Sequence, residues 1–230
     1  MSDRPEKLIY IVIPAFNEAT VIAAVISEII AHGYQNIIVI DDGSTDHTQA
    51  AARVAGALCL RHKINRGKGA ATKTGLQAAL AAGADIIVTM DGDGQHSAAD
   101  IGELIKPLLA DQAAITLGIR HKERHAMPRS RQVANFAANS FTWLIHGLWV
   151  QDSQSGFKAF SRQAALTIET FSDAYEYESE IIREIQRHAL SFHEVPIHAR
   201  YTPYSQQKKQ RQNLVNGLKT AYKMLWSKIV

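Results

Sequence analysis

The stretch Ile86-Ile87-Val88-Thr89-Met90-Asp91-Gly92-Asp93-Gly94-Gln95-His96 decides how the rest of the chain is read. Ile86 to Met90 is an unbroken β-favouring run, the pattern of a strand covered on both faces rather than on one. It ends in two carboxylates one residue apart, freed by flanking glycines. The same alternation recurs on either side. Leu8 to Ile13 predicts a strand ended by Pro14, and Glu18 to Ala31 predicts a helix, with Val21, Ile22, Val25, Ile26, Ile29 and Ile30 at helical spacing. Asn36 to Ile40, Ala57 to Leu60 and Ala113 to Leu117 predict further strands. Helices are expected over Asp46 to Ala55, Gly69 to Ala82 and Ala98 to Leu109. Short apolar strands separated by helices call for an α/β fold with a mostly parallel central sheet flanked by helices, its chemistry at the strand C-terminal ends.

Beyond Gly118 the rhythm changes. Arg120 to Arg131 holds five basic residues against one acid and includes Pro128, which predicts a basic loop. Val133 to Val150 reads as a strongly apolar helix carrying Trp143, Leu144 and Trp149. Gly156 to Phe160 is a candidate return to the sheet, Glu178 to His188 a helix and Phe192 to Ile197 a last strand. From Asn213 to Val230, Leu214, Leu218, Ala221, Tyr222, Leu225 and Ile229 share one side of an amphipathic basic helix.

Four loops carry the chemistry. Pro14-Ala15-Phe16-Asn17-Glu18 follows the first strand, with Asn17 placed to cap the next helix. Asp41-Asp42-Gly43-Ser44-Thr45-Asp46 follows the second, and two adjacent carboxylates at a strand end need a compensating partner. Asn65-Arg66-Gly67-Lys68-Gly69 offers two cations at a helix start, suited to an anion, yet fits neither the P-loop nor the dinucleotide fingerprint. In the fourth, Asp91 and Asp93 can approach one hard divalent cation while Gln95 adds a neutral oxygen. Such a loosely held metal keeps open positions for diphosphate oxygens.

Together these segments resemble the family-two inverting glycosyltransferases with the GT-A fold, and the subgroup most similar is that of dolichyl-phosphate mannosyltransferases and their bacterial polyprenyl-phosphate relatives. Gly118-Ile119-Arg120 looks like the family's Gly-x-Arg, and Asp152 with Gln154-Ser155-Gly156-Phe157-Lys158 resembles its Asp-x-x-Ser-Gly-aromatic-basic segment. The resemblance implies a GT-A domain over residues 1–205, its nucleotide-sugar half over 1–118 and its acceptor half over 119–205, followed by the C-terminal helix of 206–230. It implies that Pro14, Ala15, Asn17, Glu18, Asp41, Asp42 and Gly43 hold the base and ribose of a UDP- or GDP-linked sugar donor, with Arg66 and Lys68 nearby. Asp91, Asp93 and Gln95 would bind Mg²⁺ or Mn²⁺ on the donor diphosphate, with Gly92 beside them. Arg120 and Arg131 would face an anionic acceptor or the departing diphosphate, and Asp152 and Ser155 would close the sugar pocket. An acceptor that is a lipid phosphate needs little help from a base; for a hydroxyl acceptor Asp152 is the first candidate base.

Composition bounds the alternatives. Hydrophobic residues at 46% and charged residues at 20% suit a globular chain with a real core. Cys59 is the single cysteine, which excludes an internal disulfide and a cysteine zinc site. Val195 to Val230 carries seven Lys or Arg and no Asp or Glu; removing those charges from the formal +3 leaves −4 for residues 1–194. A basic tail could serve a nucleic-acid binder, but paired carboxylates at strand ends argue against that class, and a non-catalytic sugar-nucleotide sensor would not keep both Asp91 and Asp93. The start of the chain lacks a signal-peptide pattern and no apolar stretch is long enough to span a bilayer, so a cytoplasmic protein is expected, peripheral on the inner membrane face through the C-terminal helix. Packing of that helix on its own domain or in a homo-oligomer are the alternatives.

Overall fold

The computed structural model describes residues 7–120, 139–140, 143–144, 147–173 and 176–200. In chain order these form β1 (Ile9–Ala15), α1 (Ile22–Ala31), β2 (Ile37–Asp41), α2 (Thr48–Val54), β3 (Leu58–Arg61), α3 (Lys68–Ala81), β4 (Ile86–Thr89), a 3₁₀ turn at Ala98–Asp100, α4 (Ile101–Leu109), β5 (Ile115–Ile119), β6 (Lys158–Ser161), α5 (Arg162–Thr167), α6 (Glu176–Arg187) and β7 (Phe192–Pro196). Among the described residues the seven strands make one sheet in the order β3-β2-β1-β4-β6-β5-β7. All pairings are parallel except those of β6, which runs antiparallel to both β4 and β5.

Every residue of β2, β4 and β5 is buried, as continuous apolar runs covered on both faces demand. Alternate residues feed two cores. Ile11, Ile13, Ile37, Val39 and Val88 pack with α1, α2 and α4, while Val12, Ile38, Ile40 and Ile87 pack with α3, α5 and α6. The Ala-rich α3 lies close on its face: a Cβ added at Gly75 would collide with Val12 Cγ1 and stand 3.3 Å from Ile40 Cγ1.

The α/β class and the mostly parallel sheet are as expected, but several boundaries move for physical reasons. Pro14 does not end β1, which continues to Ala15, with Pro14 in register with Ile40. The β4 face of β1 is paired only as far as Val12 with Thr89 and the Met90 N–H bond to Val12 O, so no ladder hydrogen bond is asked of Pro14. Nor does Asn17 cap α1. It sits in the left-handed region at φ 55°, which Asn tolerates, and the helix starts later, at Ile22. The short α5 was not expected; Ser161 caps it by accepting from the Ala164 N–H. The basic loop after Arg120, including Arg131, most of the expected Val133–Val150 helix and the whole tail of 206–230 lie outside the described residues. No helix among the described residues is long and apolar enough to cross a membrane.

Candidate active site

A cleft of about 440 Å³ opens at the C-terminal ends of β1, β2 and β4, the rim where a sheet of this kind presents its loops. Of the candidate site residues, Pro14, Ala15, Glu18, Asp42, Lys68, Asp91, Gly92, Asp93, Gln95, Arg120 and Ser155 line it, and Phe16, Asn65, His96, Gln154, Gly156 and Glu178 join them. Asn17, Asp41, Gly43, Arg66 and Asp152 do not.

The residues off the cleft wall build the loops instead. Ser44 Oγ accepts the Asn17 N–H at 2.9 Å, Thr48 Oγ1 accepts that of Glu18 at 2.8 Å, and Asn17 Oδ1 accepts that of Thr45 at 2.9 Å, which ties the first loop to the second. Asp41 turns Oδ1 to the Ser44 N–H at 2.8 Å, and its buried Oδ2 lies 3.5 Å from Arg61 Nε. A Cβ at Gly43 would stand 2.5 Å from the Ile64 carbonyl carbon, so this glycine lets two backbones meet. Asp42 lines the cleft and also anchors the third loop: it accepts the Arg66 N–H at 3.0 Å, the Gly67 N–H at 2.7 Å and His62 Nδ1 at 2.7 Å. The Arg66 side chain points away, half exposed and 3.9 Å from Asp173.

A chain of alternating charges crosses the floor. Asp91 Oδ1 lies 2.7 Å from Lys68 Nζ, Lys68 lies 3.0 Å from Glu178 Oε1, and Glu178 Oε2 bonds the fully buried Lys158, which also donates to Ser155 O. Burial alone would raise the Asp91 carboxyl; the Lys68 ammonium more than offsets it and holds the group well below the usual carboxylate range. Burial would likewise lower Lys68, but Asp91 and Glu178 keep it above its ordinary value. Asp91 therefore faces the cleft ionised. His96 accepts the Asp91 N–H on Nδ1 at 3.2 Å and stacks on Phe157 with ring centroids 4.9 Å apart. Asp93 accepts the Gln95 N–H at 3.0 Å and its side-chain Nε2 at 2.6 Å.

Arg120 and Asp152 form a bidentate pair, Nε to Oδ2 at 2.6 Å and Nη2 to Oδ1 at 2.7 Å. Burial pushes the Asp152 carboxyl up, and the Arg120 hydrogen bonds and charge bring it below its ordinary range. Both oxygens are bonded to Arg120, and the residue itself does not line the cleft. It orients Arg120. Arg131 lies outside the described residues.

Glu178 and Lys158 are the charged residues that sequence reading passed over as parts of the site. Lys158 was visible only as the basic end of a motif, and Glu178 only as a helix residue. A hydrophilic residue near a helix start reads as solvated, and its burial is set by two cations far away in sequence.

The fit to a divalent metal rests on the donor set. Asp91 and Asp93 present hard oxygens, one held ionised, and Gly156 of the facing segment leaves room for them: a Cβ there would lie 2.6 and 3.0 Å from the two Asp91 oxygens. Gln95 also lines the cleft, with its Nε2 donating to Asp93. Among the described residues no three His, Cys, Asp or Glu side chains gather into a group that could hold a metal ion by themselves.

A mostly parallel α/β sheet whose fourth strand delivers Asp-x-Asp into a cleft, with Lys68 on the floor and an oriented Arg120 on the wall, defines the GT-A class of nucleotide-diphospho-sugar transferases. The chain belongs to glycosyl transferase family 2, whose sequence profile matches residues 10–168. It is 36% identical to a UDP-N-acetylglucosamine–dolichyl-phosphate N-acetylglucosaminyltransferase of Methanococcus voltae over 246 residues, 97% of each chain. It is 27% identical to the polyprenol monophosphomannose synthase of Mycolicibacterium smegmatis, covering 84% of this chain and 78% of that one. Among solved structures it is similar to glucosyl-3-phosphoglycerate synthase from Mycobacterium tuberculosis in complex with Mn²⁺, UDP and glucosyl-3-phosphoglycerate, with a TM-score of 0.66 and 25% identity over 94% of this chain and 80% of that one. The protein is thus a glycosyltransferase.

Proposed function

We propose that the protein transfers a sugar from a UDP- or GDP-linked donor to a polyprenyl phosphate, inverting the anomeric carbon, at the inner face of the cytoplasmic membrane. One observation carries the choice of acceptor: Asp152, the aspartate expected from the sequence to serve a hydroxyl acceptor as base, has both oxygens bonded to Arg120. A hydroxyl acceptor must lose a proton to some base, whereas a phosphate arrives ionised and needs only positioning. An oxygen of the acceptor phosphate attacks the anomeric carbon, a new C–O bond forms, and the bond to the donor diphosphate breaks with its electron pair leaving on the diphosphate. No net proton moves.

In this reading Asp42 and the β1 loop hold the nucleoside, and Lys68 and Arg120 face the charge that develops on the leaving group. Asp91, Asp93 and Gln95 would hold Mg²⁺ or Mn²⁺, which when bound supplies charge neutralisation at the diphosphate. Names of the relatives support lipid phosphate as acceptor, and the basic tail of 206–230 supports peripheral attachment to an anionic leaflet. Labelled UDP-N-acetylglucosamine, UDP-glucose and GDP-mannose, each with Mn²⁺ and a short polyprenyl phosphate, test the proposal. We expect one donor to put acid-labile label into the organic phase, chelation to stop transfer and Mn²⁺ to restore it. Transfer only to a soluble hydroxyl acceptor would overturn the choice of acceptor.

A further inference from the structure

The chain leaving β7 does not run off the sheet; it folds back along the loop that carries Asp91 and Asp93. The Arg200 N–H donates to Gln95 O at 2.7 Å, and Ala199 makes an antiparallel bridge with His96. Two side-chain clasps reinforce the seam. His198 bonds Asp100 through its backbone N–H at 2.7 Å and its Nδ1 at 2.8 Å. The Arg200 guanidinium grips Glu28 of α1, Nη1 to Oε2 at 2.7 Å and Nη2 to Oε1 at 2.9 Å, and reaches Ser97 Oγ at 2.8 Å. Glu28 Oε1 in turn accepts the Ala98 N–H at 3.0 Å.

This clasp meets the cleft lining at Gln95 and His96, and Gln95 is the one of the two that bonds Asp93. Gln95, whose carbonyl Arg200 holds, supplies both the backbone N–H and the side-chain amide that fix the Asp93 carboxylate. We propose that Glu28 and Arg200 are positioning residues for the Asp93–Gln95 part of the metal loop, setting its affinity for a divalent cation although neither lines the cleft. The inference rests on the metal reading of Asp91 and Asp93 above. A purely structural role predicts little, because Arg200 is about half exposed and an exposed ion pair adds little to stability. Outer partners of metal ligands, by contrast, set affinity by about 10- to 100-fold.

The test titrates the intact protein with Mn²⁺ alone and reads binding by water-proton relaxation, with a thermal melt on each variant. We expect Arg200→Ala and Glu28→Ala each to weaken Mn²⁺ binding by about tenfold. The double variant should be no worse than either single one, since the two residues act as one unit. Arg200→Lys keeps the charge and the backbone N–H but loses the fork, so it should fall between Arg200→Ala and the parent, and it decides the matter if an alanine variant fails to fold. Lys106→Ala removes another exposed pair, 3.4 Å to Glu103, and should leave binding unchanged. Parental binding in Arg200→Ala and Glu28→Ala, or in Arg200→Lys where those do not fold, overturns the positioning role alone. Parent protein that binds Mn²⁺ no better than Asp93→Ala overturns the metal reading and the positioning role together.

Discussion

Adding one methyl group at Gly156 separates the site from the fold. The new Cβ would stand 2.6 Å from Asp91 Oδ1 and closer still to Lys68 Nζ, where ordinary contact begins near 3.4 Å, so the Asp91 oxygen must retreat by about 0.8 Å. Both obstructing atoms are side-chain ends, which normally yield at little cost. Here they are tethered: Asp91 and Lys68 hold each other at 2.7 Å, and Lys68 is also bound to Glu178. The displacement therefore falls on the carboxylate proposed to hold the metal. Overpacking costs about 1–3 kcal/mol, and with flexible ends taking the strain Gly156→Ala should sit at the low end. A misplacement of about 1 Å in a catalytic group costs about 100-fold in rate. We expect a thermal midpoint only a few degrees lower, together with a fall of about 100-fold in kcat/KM at saturating Mn²⁺. The decisive comparison runs melting and steady-state transfer on the same preparation. Parental kcat/KM, or a stability loss large enough to account for lost activity by unfolding, would refute the reasoning.

Other substitutions test neighbouring parts. Glu178→Ala leaves Lys158 buried without its carboxylate and should cost about 3–5 kcal/mol by chemical denaturation, while Glu178→Gln keeps the shape and should cost less. Asp152→Asn should cost about 3 kcal/mol at neutral pH and slow transfer through a loosened Arg120. Because the folded Asp152 carboxyl lies below its unfolded value, its contribution is complete above the ordinary carboxylate range and fades as pH falls through the folded value; the stability gap between parent and Asn variant should therefore close in acid. Gly75→Ala gains helix propensity of about 1 kcal/mol but drives a methyl into Val12 and Ile40, so a net loss in the melting midpoint is expected, and a gain would show that α3 can shift outward.

The sheet was legible because its central strands are buried on both faces and so read as uninterrupted apolar runs, Ile37 to Ile40 and Ile86 to Val88 being the plainest. Strand order was not. Insertion of the antiparallel β6 between β4 and β5 depends on pairings such as Val88 with Ala159 and Thr116 with Ala159, which no local pattern announces. Within the site, the place of Asp91 and Asp93 on the cleft was legible because their segment follows a strand end in series with the loops after β1 and β2, not from Asp-x-Asp alone. Asn17 misled because a residue that favours helix caps also favours left-handed turns, and the loop from Ser44 to Thr48 selected the second use. For Asp152 the sequence hid the partner. An aspartate beside a candidate sugar pocket reads as a base until the guanidinium that occupies both its oxygens is seen, and that partner lies 32 residues away.

The same pairing explains how an acidic body can serve anionic substrates. Asp91 is balanced by Lys68, Glu178 by Lys68 and Lys158, Asp152 by Arg120, and Asp42 by two backbone N–H groups and His62. An incoming diphosphate or lipid phosphate thus meets carboxylates whose charge is already answered, and cations held in place before it arrives. On the proposed reaction this matters more than net charge, because donors fixed in advance stabilise the charge forming on the leaving group without reorganising when it forms. Loss of Glu178 should then impair transfer even where the protein stays folded, since Lys68 would keep Asp91 as its one carboxylate partner in that chain and could follow it. Glu178→Gln is the sharper probe: a variant with a near-parental melt but a reduced kcat at unchanged donor KM would place the effect in the transition state, whereas a change in KM alone would assign Glu178 to ground-state binding.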